Sequence, residues 1–260
     1  MTPLTPSPAN LSLPHTFSLI DVPFIVSFSS PEFDKTIIFI VAVLLSITVN
    51  AEAQAFMATV LGDIRNDARD RFHFNPLLHI NLAGLICFVA AGFGWPKQVE
   101  INTEQFKHPA LAVILIKFTG AFANLILAGI AGSILFVMKK WNLEDQVFSI
   151  VVSVNIMVFV YNFIPIPPLA GASLLSSIIS VFSSLKRKTS QSGIYPLRGS
   201  HVNDTNIYKT SPDAPPKKYL VRLFPYMFTG VIIVMRIKGW TFLNDTLHPV
   251  VKAIFKFIAG

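Results

Sequence analysis

The apolar positions of this chain come in long runs rather than in alternation, with short polar joints between them. Residues 36–61 form the first run, which carries no charge from Ile37 to Val49 and is long enough, taken through to Leu61, to span a bilayer as a helix. The next, 77–95, is barely long enough to cross, and Asn75-Pro76, His79, Asn81, Gly84, Gly92 and Gly94 weaken it as a lipid-facing helix. Two better spans come next at 110–138 and 147–164, joined by 139–146. A shorter one at 219–235 is broken early by Pro225. Finally, 247–258 sets Leu247, Val250, Val251, Ile254, Phe255 and Ile258 at helical spacing, with Lys252 and Lys256 on another face. That pattern predicts an amphipathic helix lying in a membrane interface or docking on a partner.

Composition sharpens this picture. Of 260 residues, 52% are hydrophobic and only 13% charged, about half the charged share of a soluble domain. The mean hydropathy is +0.58. The expectation is an all-α polytopic integral membrane protein. A net charge of +7 is scattered between apolar spans, which suits anionic lipid and argues against nucleic acid. The lone Cys87 excludes a disulfide framework and a thiolate zinc cluster.

Charge also predicts topology. Residues 1–35 form a Pro- and Ser-rich arm with no Lys or Arg before Lys35, which places the N-terminus outside the cytoplasm. No basic region precedes the first apolar run, so no cleavable signal peptide is expected. The first span then delivers 62–71 to the cytoplasmic face. If 77–95 crossed, the basic run Lys186-Arg187-Lys188 would end up outside; a re-entrant 77–95 keeps it cytoplasmic, and that reading is preferred. Residues 183–218 read as a flexible basic cytoplasmic loop, and 219–260 as the C-terminal span and amphipathic helix.

The chemistry concentrates in the first span, where Asn50, Glu52 and Gln54 sit at membrane depth and should face protein or a wet cavity. Asn50 and Gln54 are four residues apart and share a helix face. With Val49-Asn50-Ala51-Glu52-Ala53-Gln54-Ala55 come three further blocks: Asn75-Pro76-Leu77-Leu78-His79-Ile80-Asn81, Gly120-Ala121-Phe122-Ala123-Asn124, and Asn162-Phe163-Ile164-Pro165-Ile166-Pro167-Pro168-Leu169-Ala170-Gly171. Together with Gly94-Trp95-Pro96-Lys97 and Pro109, their order and spacing resemble the site-2 protease family of intramembrane zinc metallopeptidases, in its compact bacterial branch without a PDZ insertion. The resemblance covers roughly 36–182. It implies a core of three spans plus a re-entrant segment.

In that family the first block reads His-Glu-x-x-His and the fourth ends Leu-Asp-Gly. Carried over by position, the zinc ligands fall on Asn50, Gln54 and Ala170 and the catalytic base on Ala51. Amide oxygens are weak zinc ligands and alanine supplies none, so the expectation is no zinc, no cofactor and no enzyme: a pseudoprotease. Asn124 falls where the family has an asparagine thought to contact substrate, and is read here as an interhelical hydrogen bond. Pro165, Pro167 and Pro168 are assigned to a substrate groove or to packing. Glu52 is expected to pair with a buried Lys or Arg, Lys117 being one candidate, and His79 to satisfy backbone near the turn.

Three functions compete. The first is an accessory subunit of a larger complex of integral membrane proteins in a bacterial inner membrane. The second is a decoy or regulator that binds transmembrane helices of protease substrates. The third is an active protease with metal on Glu52, Gln54 or His79. An open groove between the first span and the Pro165 turn favours the second; the same groove packed shut by side chains or lipid favours the first.

Overall fold

Among the described residues, two helices are long and apolar enough to cross a membrane: α1, Phe33–Val60, and α3, Pro109–Lys140. They belong to a computed structural model that describes residues 33–63, 74–91, 94–143, 146–190, 217–238 and 242–259. Five more helices are described: α2 Leu82–Ala91, α4 Gln146–Tyr161, α5 Ala170–Ser190, α6 Lys217–Ile237 and α7 Phe242–Ala259. The described elements are all helical, with short 3-10 turns at Pro76–His79 and Thr103–Gln105.

Helices α1, α3 and α4 pack against one another and form the centre. Small residues make the contact close: Ala42, Ala51, Ala55 and Ala58 of α1 and Ala112, Ala121 and Ala128 of α3 are buried. Contacts pair Ser46 with Asn124, Gln54 with Lys117, and Ala58 with Ala112 and Ile116. Numbers rise along α1 as they fall along α3, so the two helices run antiparallel. The opposite face of α3 is bare. Leu111, Leu115, Phe118, Phe122, Ile126, Ile130 and Ile134 are all exposed, an apolar stripe about 35 Å long by helical rise.

At 10 residues, α2 is only about 15 Å long, half the thickness of a hydrocarbon layer. Beyond it the chain returns to where the segment began, with Lys97 N–H donating to His79 O at 2.8 Å. Gly84 and Gly94 permit that return, since a Cβ on either would drive into backbone of the other arm. Trp95 closes the hairpin, buried with Phe88, Phe39 and Tyr161.

The C-terminal helices depart from expectation in two places. Helix α6 continues through Pro225 instead of breaking there; one lost hydrogen bond bends a helix without ending it. It lies on α2, with Trp95 and Phe228 rings 5.8 Å apart. In α7, the face expected to meet an interface or a partner is turned inward: Val251, Phe255 and Ala259 are buried against Ala128, Ala131 and Leu135 of α3 and Val152 and Ile156 of α4. Lys139 Nζ caps the end of α7 through Ala259 O at 3.0 Å. The inward packing rests on Gly132, where a Cβ would collide with the Ile258 side chain. Gly132→Leu is therefore expected to lift α7 away at a cost of about 1–3 kcal/mol, read as faster proteolysis after Lys252 and Lys256 with α1 and α3 intact.

Residues 1–32, 64–73 and 191–216, which hold most of the expected outer arm, cytoplasmic turn and basic loop, lie outside the described residues. Helix α5 itself runs on through Lys186-Arg187-Lys188 to Ser190.

Candidate functional site

One turn apart on α1, Asn50 and Gln54 face α3 together, and Gln54 Nε2 donates to Asn50 Oδ1 at 2.5 Å. Asn50 Nδ2 donates in turn to Asn124 Oδ1 at 2.7 Å. Asn124 Nδ2 points at three acceptors, Ser46 Oγ at 2.7 Å, Asn155 Oδ1 at 2.9 Å and Ser46 O at 3.0 Å. An amide nitrogen carries two hydrogens, so one of them is shared. Asn155 Nδ2 closes this end on Val151 O at 2.8 Å. At the other end Lys117 Nζ donates to Gln54 Oε1 at 2.8 Å and to Gln98 Oε1 at 2.9 Å. Gln98 Nε2 then reaches Pro168 O at 3.2 Å. The result is one unbroken row of hydrogen bonds through the middle of the bundle.

Burial is what makes the row matter. Asn50, Asn124 and Asn155 are fully buried, and Gln54 and Lys117 are 4% and 5% exposed. Left without partners there, each polar group would cost about 1–3 kcal/mol. Gly120 makes room, since a Cβ would lie 2.6 Å from Gln54 Cγ and 3.0 Å from Asn50 O.

Glu52 takes a different course from the one expected. Its Oε1 accepts from Phe74 N–H and contacts His79 Nε2, both at 3.1 Å, so among the described residues it meets His79 rather than Lys117. The helical period explains it: Glu52 lies about 200° round α1 from Gln54, so it faces the Pro76–His79 turn while Gln54 faces α3. The pair ties that turn to α1.

Of the four positions that the resemblance assigns to zinc chemistry, Asn50 and Gln54 lie in the row, Ala51 is buried beside them, and Ala170 starts α5. Gln54 and Ala170 border a cavity of about 10 Å³ with Trp95 and Tyr161, room for about one water. The indole N–H of Trp95 is buried with no hydrogen-bond partner among the described residues. A much larger cavity, about 900 Å³, opens on the other side of Lys117. Gln98, Val99 and Ile101 border it from the non-helical segment, Val113 and Lys117 from α3, and Phe224 from α6. Pro167 and Pro168, joined by a cis peptide, border it too. Pro165 is exposed and lies outside that lining.

The donor set does not fit zinc. The amide oxygens of Asn50 and Gln54 already accept hydrogen bonds, the latter from an ammonium, and a metal would place two cations side by side. Among the described residues, no group of three or more His, Cys, Asp and Glu could hold a metal ion.

A Bacillus subtilis (strain 168) protein named "Putative zinc metalloprotease YwhC" is 32% identical over 149 residues, 54% of this chain and 68% of that protein. The chain belongs to the site-2-protease-like family. No family model matches it, and no solved structure does. Membership corrects the expectation that the chain is not an enzyme, because the relative that establishes the family carries a metalloprotease's name. Replaced ligands speak to one zinc geometry and do not establish inactivity.

Sequence reasoning passed over Gln98 and Asn155, and took Lys117 only as a partner for Glu52. A signal for Lys117 was available, since a lone ionisable residue inside an apolar helix marks a candidate functional site by default.

Proposed function

We propose that this site-2-protease-like chain is a polytopic integral membrane protein that takes a membrane-embedded peptide segment of another protein into the cleft beside Lys117. The observation that carries this reading is the open cavity of about 900 Å³ between α3, the Pro167-Pro168 turn and α6. The groove between α1 and the Pro165 turn is itself nearly closed, to about 10 Å³ beside Gln54 and Ala170, as a structural subunit would have it. The reading therefore rests on this second opening, which no α1 residue borders. The exposed stripe on α3 and the short, doubled-back α2 support the membrane reading, because water would not leave so long an apolar face uncovered. An accessory-subunit role gains less, since α7, one of the surfaces reserved for a partner, is spent on the chain's own core.

Photocrosslinking tests this. A benzophenone side chain at Val113 or Ala172, in the cavity, is compared with one at Ile130 on the bare face of α3. With the full chain in nanodiscs and an added synthetic apolar helix of about 20 residues, the cavity positions should crosslink to the peptide and Ile130 to lipid. Crosslinks to lipid alone from all three positions would sink the reading.

A further inference from the structure

The cavity is not uniformly apolar. Val99, Ile101, Val113, Leu169 and Phe224 border it, yet Lys117 contributes an ammonium. Lys117 is 5% exposed, and among the described residues the partners of its ammonium are two neutral amide oxygens, of Gln54 and Gln98. A lysine has three N–H donors, and among the described residues this one meets two acceptors. A positive charge in this setting, with neutral partners among the described residues, is costly at membrane depth and gains most from an anion. The carboxylate of Glu100 borders the cavity but is exposed, where solvent screens it.

Resting on the segment-binding reading above, we propose that the cleft selects apolar segments carrying a carboxylate side chain, an Asp or Glu that meets Lys117 Nζ while the apolar remainder lies against Val99, Val113 and Phe224. Charge complementarity decides for this occupant over a purely apolar helix. Such a helix would bury the ammonium behind hydrocarbon. An acidic residue, costly to leave in lipid, gains its counter-ion by entering the cleft. The same arrangement disfavours segments carrying Lys or Arg, whose charge would face Lys117.

The test uses the full chain in nanodiscs at about pH 7, where a buried ammonium keeps its proton and a carboxylate beside it is ionised. The probes are three Leu/Ala peptides of about 20 residues, identical but for one central Asp, Asn or Leu. The Asp peptide should bind about tenfold more tightly than the Asn peptide, the scale of a close charge pair in a desolvated site. Lys117→Met should bring the two within about twofold, and Lys117→Arg should restore much of the difference. Because the comparison between peptides is made on the wild-type chain, it stands even if Lys117→Met fails to fold. Equal binding of Asp and Asn peptides would overturn the carboxylate preference while leaving segment binding in place. Binding of none of the three would overturn both. Displacement of the Asp peptide by an equal concentration of oleate, lost in Lys117→Met and kept in Lys117→Arg, would assign the cleft to a lipid carboxylate and overturn the proposal.

Discussion

Gly120→Val is expected to leave almost no folded protein in the membrane. A Cβ at position 120 would lie 2.6 Å from Gln54 Cγ, 2.9 Å from Gln54 Nε2 and 3.0 Å from the main-chain oxygen of Asn50. A flexible side chain could yield, but Gln54 is tied at both ends, to Lys117 and to Asn50. Helices α1 and α3 would have to part, and parting them breaks the buried row at its centre. Overpacking and stranded polar groups together cost about 3–6 kcal/mol, a large share of a typical stability of about 5–15 kcal/mol. The measurement is the yield of monodisperse protein after solubilisation in mild detergent. Gly129→Val is the control, because a Cβ there meets nothing within 4 Å. Equal yields from the two variants would show that α1 and α3 are not held at this spacing.

Asn124→Leu should come next in severity, although the two side chains are similar in size. Asn124 serves three residues on two other helices: Ser46 and Asn50 on α1 and Asn155 on α4. Leucine would leave Asn50 Nδ2 and Asn155 Oδ1 facing hydrocarbon. Single interhelical hydrogen bonds in membranes average only about 0.6 kcal/mol, so the loss comes mainly from orphaned partners. The expected cost is about 2–4 kcal/mol, visible as a drop of several degrees in the melting temperature in detergent. Adding Asn155→Val removes one orphan. The double variant should therefore be less damaged than the two single losses added together. Strict additivity would mean that the two asparagines do not share a network.

Much of this was legible in the sequence, and the exceptions have a common cause. Runs of apolar residues located α1, α3 and α4, because a helix that faces lipid on one side and protein on the other needs little polarity anywhere. Helical period put Asn50 and Gln54 on one face, and they bond to each other. Period also separated Glu52 from them but could not supply its partner, since His79 reaches it only once the 77–95 segment has folded back. Two glycines three residues apart on α3 prove unlike: Gly132 meets α7 whereas Gly129 faces open space. Spacing shows that a helix can be approached, not what approaches it. The same gap hid the contact between Lys117 and Gln98, which depends on a non-helical segment with no periodicity to read.

The antiparallel course of α1 and α3 carries a consequence for access. On the membrane reading proposed above, a chain that leaves α1 and enters α3 in the opposite sense makes no net crossing in between, so Gln98, Val99 and Ile101 lie on the Val60 side. The cleft that these residues border is therefore a one-sided vestibule: anything soluble that reaches Lys117 must come from the compartment at the Val60 end of α1. In sealed vesicles of fixed orientation, a lysine reagent that cannot cross lipid would find Lys117 from that side and never from the other.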